Sequence, residues 1–465
     1  MSTKEHNSEN ISEFVVLAAV PLVDTNRALS APALLKASLT KNNIKSHALD
    51  LNSQILTKIK SHQFKKLFFD FFIRQKINDS ILVELSRIFE YAADQILKWN
   101  PTIVALSLFS RECQVFTTWL CAAIREKNPT IKIVIGGPGV KSTSGIPTLS
   151  YAENLKKLNL IDDFILGDGD RSLVEYVNGN FNYPGINSDN WNPVQNLNEL
   201  PYSDYSDYDF FWYDEPTIPI VDSRGCVRTC EFCDVIEFWK KYQYMSATRV
   251  FEEMNYQIKK HKIYHFDFRS SISNGNMKEF TKLVKMIADY NSHRYRREQI
   301  SWEGSFIIRP ADKHPEDLWK LLNLNNARLF LGIESLIQRI RNGIGKSFSN
   351  EDIDFHLEMA QKYNIPTDIL LISGYPTETQ DDQDIINNWV KDRKHYANNS
   401  VMRIGLAKLG ILPGTQLEKN AVTYGFVYDQ ENKKWINQSL HISDQLREEN
   451  YNRLKQTILS CGFNL

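Results

Sequence analysis

The chain has 465 residues and a mass of 53.9 kDa, more than one hydrophobic core usually supports, so at least two domains are expected. A hydrophobic fraction of 42%, an aromatic fraction of 12% and only 20 Gly and 16 Pro describe a folded globular chain and exclude collagenous and disordered classes. With 55 Lys and Arg against 56 Asp and Glu the net charge is −1, which gives no reason to expect a polyanionic partner; the basic run His293–Arg297 reads as a solvated loop or helix end, without a clear nucleic-acid signal.

The segment Met1–Glu13 is polar, and the first apolar run, Phe14–Val23, is too short to cross a bilayer and follows no basic stretch. Neither an export signal nor membrane attachment is expected. Six cysteines are too few for a disulfide framework in a chain of this length, which points to the reducing cytoplasm.

Short apolar runs then alternate with helix-like stretches: Phe14–Val20, Ala33–Lys41, Ser46–Leu51, a longer helical segment over about Ser53–Trp99, Ile103–Phe109, Thr117–Lys127, Ile131–Gly137, Asp163–Gly169 and Ser172–Val177. The strand candidates are almost continuously apolar, so residues 1–185 are expected to form a Rossmann-like, doubly wound parallel sheet covered on both faces. In such a sheet ligands sit beyond the carboxyl ends of the strands, here Ser107–Ser110, Gly136–Gly139 and Gly167–Asp170. Ser107, Gly136, Gly137 and Gly167 are the candidate ligand contacts, the glycines letting a ligand approach the backbone.

Periodicity is lost from about Asn178 to Tyr213, and residues 186–216 read as a linker. A second βα series follows over 217–420, with strand candidates at Thr217–Asp222, Tyr264–Phe268, Ile300–Ile308, Arg328–Ile333, Thr367–Ser373 and Val401–Leu406. Apolar helix faces lie between them, for example Phe280, Leu283, Val284 and Ile287, or Ile353, Leu357 and Ala360. Such a series forms a partial (β/α)6 barrel with its site at the C-terminal ends of the strands. Residues 421–465, with Trp435, Leu440, Ile442, Leu446 and Leu454, are expected to be a helical extension capping the barrel mouth or the domain junction, with Cys461 as buried packing.

Cys226, Cys230 and Cys233 form a C-x3-C-x2-C motif in the loop directly after the first strand of that second series, whereas Cys113, Cys121 and Cys461 are scattered. Three thiolates on one tight loop suit a cubane cluster with one iron left open for chemistry. A zinc site is the competing reading, but it needs a distant fourth ligand, and no second C-x2-C or nearby His pair supplies one.

In this motif and its position the chain resembles the radical S-adenosylmethionine enzymes. The resemblance implies that Cys226, Cys230 and Cys233 ligate a 4Fe-4S cluster. It also implies that S-adenosyl-L-methionine chelates the open iron and is cleaved reductively to a 5′-deoxyadenosyl radical, with Phe232 flanking the adenine. Leu331-Gly-Ile-Glu-Ser335 looks like the family's fourth-strand segment and Leu371–Thr379 like its fifth, which carries over cofactor contacts to Glu334 and Gly374. The second-strand segment Phe266–Ser271 departs from relatives with an acidic residue nearer its end, and Arg309 reads equally as a carboxylate partner or an ordinary surface ion pair.

The glycine-punctuated first domain, followed by Leu197-Asn-Glu-Leu-Pro201, resembles the class with an N-terminal cobalamin-binding domain. No D-x-H-x-x-G occurs, so no histidine is placed by motif to ligate cobalt from below, and loss of cobalamin with retention of the scaffold stays open. The expected function is a cobalamin-dependent radical methyltransferase acting at unactivated carbon. The alternatives are a non-methylating radical enzyme (a cyclase, dehydrogenase or epimerase) and, in third place, a non-catalytic metal-binding protein. The partners implied are an unidentified substrate and an electron donor such as flavodoxin or ferredoxin. A methylthiotransferase is disfavoured, because Cys113 and Cys121 are too few for the further cluster of that family.

Three decoys are set aside. Gly343-Ile-Gly-Lys-Ser347 lacks the first glycine of a phosphate-binding loop and follows a helix-like stretch. Gly136-Gly-Pro-Gly139 has the wrong spacing for a nicotinamide site, and Pro138 removes a backbone donor. His261 and His265 straddle a helix-to-strand transition, which argues against a metal pair.

Overall fold

A computed structural model describes residues 13–21, 27–59, 64, 66–68, 71–72, 79–141, 149–429, 434–437 and 443–465. The Val23 end of the first apolar run, part of the Ser53–Trp99 segment, and Leu440 and Ile442 lie outside the described residues. The chain divides into two compact units, one drawn from residues 13–194 and 199–216, the other from 195–198 and 217–465. Among the described residues no helix is long and apolar enough to cross a membrane.

The first unit holds five parallel strands, β1 (Phe14–Ala19), β2 (Lys45–Asp50), β3 (Ile103–Ser107), β4 (Lys132–Gly136) and β5 (Asp163–Ile165), in the order β2-β1-β3-β4-β5. Residues Val15–Val20 are all at most 3% exposed, so both faces of the sheet are covered, as a parallel sheet requires. On one face Val15, Leu17, Ile103, Ala105 and Val134 pack with Leu39 of α1 (Ser30–Lys41) and Leu173 and Val174 of α2 (Gly169–Val177). The chain order reverses between β1 and β3, the place where open α/β sheets bind ligands. Ser107 ends β3 at that reversal, and the exposed Phe109 follows it.

The expected linker is in large part docked on this unit. Asp207 accepts hydrogen bonds from Lys36 Nζ at 2.5 Å and Ala48 N at 2.8 Å and lies 3.3 Å from His47 Nδ1. Tyr208 donates to Leu29 O at 2.7 Å, and Tyr213 donates to Asp50 at 3.0 Å, where burial pushes the Asp50 carboxyl up to about 6. The segment has no periodicity because it is held through turns by alternating aromatic and acidic side chains. The boundary between the units therefore falls at Pro216 and Thr217.

The second unit is a six-stranded, all-parallel sheet of β6 (Ile218–Ile220), β9 (His265–Phe268), β10 (Ser301–Phe306), β11 (Ala327–Glu334), β12 (Thr367–Ser373) and β13 (Val401–Lys408), in strict sequence order, the arrangement of a partial (β/α)6 barrel. The short antiparallel pair β7 (Ser223–Arg224) and β8 (Gln243–Tyr244) lies between β6 and β9. Helices start where the sequence supplies caps: Ser349 with Asp352, and Thr379 with Asp382, form capping boxes for Asn350–Lys362 and Gln380–Asp392. The anticipated apolar faces, Phe280 to Ile287 and Ile353 to Ala360, are buried.

The tail departs from expectation. It opens with an antiparallel hairpin, Phe426–Asp429 against Lys434–Asn437, before the helix Asp444–Ser460. The aromatic and β-branched residues Phe426, Val427, Tyr428, Trp435 and Ile436 favour strand over helix. The helix packs beside Gln380–Asp392 through Arg453–Asp384 (2.6 Å) and Thr457–Asn387 (2.5 Å). Ile404 N donates to Asn464 O at 2.9 Å, so the chain end covers the open edge of β13. Cys461 is partly exposed just beyond the helix rather than buried.

Candidate functional site

β6 ends at Ile220, and β7 and β8 pinch the base of a loop that runs from Gly225 to Tyr242. Gly225 has φ +76°, and a Cβ there would press on the backbone of Lys241, so this turn requires glycine. Cys226, Cys230 and Cys233 are all free and partly exposed within the loop, the first accepting from Arg228 N at 3.4 Å and the last joined by its N–H to Cys230 O at 3.0 Å. Burial pushes the Cys233 thiol up to about 11 and raises that of Cys230, against the pull of nearby Lys346. Cys226 raises both of these thiols and Cys230 raises that of Cys233, so the three share one neighbourhood.

Lys346 links this loop to the end of β11. Its Nζ donates to Gly332 O at 2.7 Å and pairs with Glu334 at 2.8 Å, with both side chains largely buried. Glu334 itself has φ +66°, a left-handed conformation that a non-glycine residue holds only under constraint from its surroundings. The segment Gly343–Ser347, set aside as a phosphate loop, is thus the one that delivers Lys346. Gly374, just past β12, has φ +87° and gives its N–H to Glu378 at 3.0 Å; a Cβ would lie 2.8 Å from Arg447 Nε. Its need for glycine is met within the fold. Phe232 is partly exposed between the second and third cysteines.

Two cations stand nearby. Arg228 Nη2 donates to Ile308 O at 3.3 Å, and Arg309 Nη2 donates to the carbonyls of Asn274 and Gly275 at 3.2 Å each. The buried Arg309 Nε has no partner among the described residues, and burial together with Arg228 lowers the proton affinity of Arg309. A carboxylate is the natural complement to that pair. Asp222, at the start of the loop, accepts from Ser270 Oγ and is pushed up to about 7 by burial. Sequence reasoning missed Lys346, Tyr375 and Glu231, the last lying between two of the cysteines and treated below.

The donor set fits a cluster. Three cysteines on one short loop, all free and partly exposed, supply thiolates, the usual holders of iron-sulfur clusters. Lys346 and Arg228 offset the anionic charge that such a cluster brings.

In the first unit the glycine loops make close approaches, but to the chain itself. A Cβ at Gly137 would lie 2.5 Å from Leu108 O, and one at Gly167 would enter the Trp191 ring. Gly136 O accepts from Leu108 N at 2.8 Å. The free backbone faces expected to admit a ligand are occupied by Leu108, Ser110 and Trp191. What the switch point does present is Ser107 and Phe109, the latter 63% exposed, and none of the described segments 107–112, 136–141 and 165–170 contains a histidine. A cobalamin held here would meet Ser107 and Phe109, with no histidine offered by those described segments.

The family model described as the Radical SAM superfamily matches residues 220–388. Residues 220–388 are a radical SAM domain. The chain that carries this domain is 25% identical over 329 residues to an uncharacterized methyltransferase of Pyrococcus horikoshii, a match covering 66% of this chain and 67% of that protein. Its fold is similar to that of the radical S-adenosylmethionine methyltransferase TsrM from Kitasatospora setae, solved with cobalamin and a 4Fe-4S cluster, at 14% identity and a TM-score of 0.61 over 88% of this chain and 77% of that one. It is also similar to the cobalamin-dependent radical enzyme OxsB, solved with aqua-cobalamin and S-adenosylmethionine, at 14% identity and a TM-score of 0.66 over 96% of this chain and 66% of that one. Both likenesses extend beyond the radical SAM domain into the first unit.

Proposed function

We propose that the chain is a cobalamin-dependent radical S-adenosylmethionine methyltransferase acting at unactivated carbon. The observation that carries this reading is the three-cysteine loop beyond β6, joined through Lys346 to Glu334 at the end of β11. Bound together, a 4Fe-4S cluster, S-adenosylmethionine and cobalamin supply one-electron reduction, hydrogen-atom abstraction and a transferable methyl group.

The chain's own residues bind and orient. Cys226, Cys230 and Cys233 hold the cluster as thiolates, which requires Cys230 and Cys233 to lose the proton that burial favours. Phe232 packs against the adenine, Glu334 accepts from ribose hydroxyls once Lys346 has fixed its carboxylate, and Gly374 lies along the same cofactor. Arg309 receives a carboxylate of cofactor or substrate. Ser107 and the exposed Phe109 at the switch point form the cobalamin side, the faces of Gly137 and Gly167 being filled by Leu108 and Trp191, and the reductant is a flavodoxin or ferredoxin.

A second reading has its own support. Because Leu108 and Trp191 fill the glycine faces, the first unit can serve as a substrate or partner platform in a radical enzyme that does not methylate. Iron, sulfide and cobalt analysis of protein purified without oxygen, followed by product mass, separates the two. Stoichiometric cobalt and a gain of one methyl support the first; S-adenosylmethionine cleavage without cobalt overturns it in favour of the second. Cys230→Ala is expected to abolish both cluster binding and cleavage, since a three-ligand cluster does not survive loss of a thiolate.

A further inference from the structure

Glu231 sits between Cys230 and Phe232 in the cysteine loop, yet it is only 7% exposed and all its polar groups are engaged far away in sequence. Its N–H donates to Ile344 O at 3.0 Å, and its carbonyl accepts from Leu417 N at 2.8 Å. Its Oε1 accepts from Asn420 Nδ2 at 2.8 Å and from Tyr424 Oη at 3.1 Å, while Oε2 accepts from Tyr375 Oη. Two of these anchors belong to the barrel: Ile344 ends the helix Gln338–Ile344 that leads to Lys346, and Tyr375 follows Gly374. The other three, Leu417, Asn420 and Tyr424, belong to the stretch after β13.

A buried carboxylate surrounded by three neutral donors from two segments fixes the backbone on either side of it, because moving the loop breaks several bonds at once. One of those sides is Cys230, and the other is the Phe232–Cys233 pair. We propose that Glu231 is a positioning residue for the cluster: its clamp by Tyr375, Asn420 and Tyr424 sets the geometry in which the three thiolates meet the irons. Ligand orientation by such supporting contacts is a general lever on metal affinity and electronic structure. The inference rests on the reading of the cysteines as cluster ligands.

The test uses the full-length protein reconstituted without oxygen, in the variants Glu231→Ala, Glu231→Gln and Tyr424→Phe. Circular dichroism and Tm establish that each is folded. Iron release to a chelator and the electron paramagnetic resonance spectrum of the reduced cluster, with and without S-adenosylmethionine, are then compared. Glu231→Ala is expected to release iron about 10-fold faster or more and to show a mixture of cluster signals, with Glu231→Gln intermediate because it keeps the length and one acceptor oxygen. In the apo form, amide exchange over residues 226–233 is expected to rise in Tyr424→Phe. Should Glu231→Ala fail to fold, Tyr424→Phe decides alone, since it removes one donor and leaves the others. Folded variants with wild-type spectra, release rates and exchange overturn the positioning role. A wild-type protein that takes up no iron overturns the cluster reading as well, so the two failures are told apart.

Discussion

At the scale of single residues the buried histidines make a titration prediction. His356 Nδ1 lies 2.7 Å from Asp352 O, which can only accept, so that nitrogen carries the proton and Nε2 is left to accept from His314 Nδ1 at 2.8 Å; His314 Nε2 then faces the amide of Asn274 at 3.3 Å. Burial holds both rings neutral, lowering His314 from 6.5 to about 2 and His356 to about 4. Below pH 6.5 the unfolded chain takes up protons that the folded pair refuses, so this contribution to stability is present above 6.5 and is lost as pH falls towards 4. Glu378 and Asp222, each raised to about 7 by burial, act in the opposite sense. The pair's share is therefore read as a difference: a His314→Gln, His356→Gln double variant should show a shallower fall in Tm between pH 6.5 and 4 than wild type. Glu334 supplies the second residue-scale prediction. Glu334→Gln keeps the shape but loses the ion pair with Lys346, and KM for S-adenosylmethionine should rise about 10-fold or more, with cluster content unchanged. The three cysteines were legible because spacing alone encodes them. Lys346 and Glu231 were not, since their partners lie 12 or more positions away and no local pattern announces a through-space contact.

At the scale of elements, the strands were readable because parallel strands buried on both faces become apolar runs, and all five of the first sheet and all six of the second lie on the expected segments. The tail was not. Its hairpin is written in two four-residue runs rich in aromatic and β-branched residues, too short to announce strands until each has the other to pair with. Gly374 gives a prediction at this scale. Gly374→Ala forces a side chain into a left-handed backbone and against Arg447, so thermal unfolding should show a loss of about 1–3 kcal/mol. A second concerns the edge of β13, covered by the chain end through Ile404 and Asn464. Deleting residues 444–465 uncovers that strand, and light scattering should report concentration-dependent association absent from the intact chain.

For the whole molecule, the cysteine loop lies in one unit and the switch-point loops in the other. The described switch-point segments 107–112, 136–141 and 165–170 hold no histidine, which gives a spectroscopic prediction: protein loaded with cobalamin and reduced should lack nitrogen splitting from a protein imidazole in its cobalt resonance. The Tyr202–Tyr213 segment shows where reading a whole chain by periodicity stops, for it is fixed by Asp207, Tyr208 and Tyr213 without forming a regular element.

The clamp on Glu231 also has a consequence for biosynthesis. Tyr424 emerges 193 residues after Glu231, so at roughly 5–20 residues per second the cysteine loop exists for about 10–40 seconds before its last anchor has been made. Throughout that interval the three thiols sit on an unfinished loop, open to stray metal ions and oxidants. The loop therefore reaches the geometry it has in the finished fold only after residues 417–424 have been made.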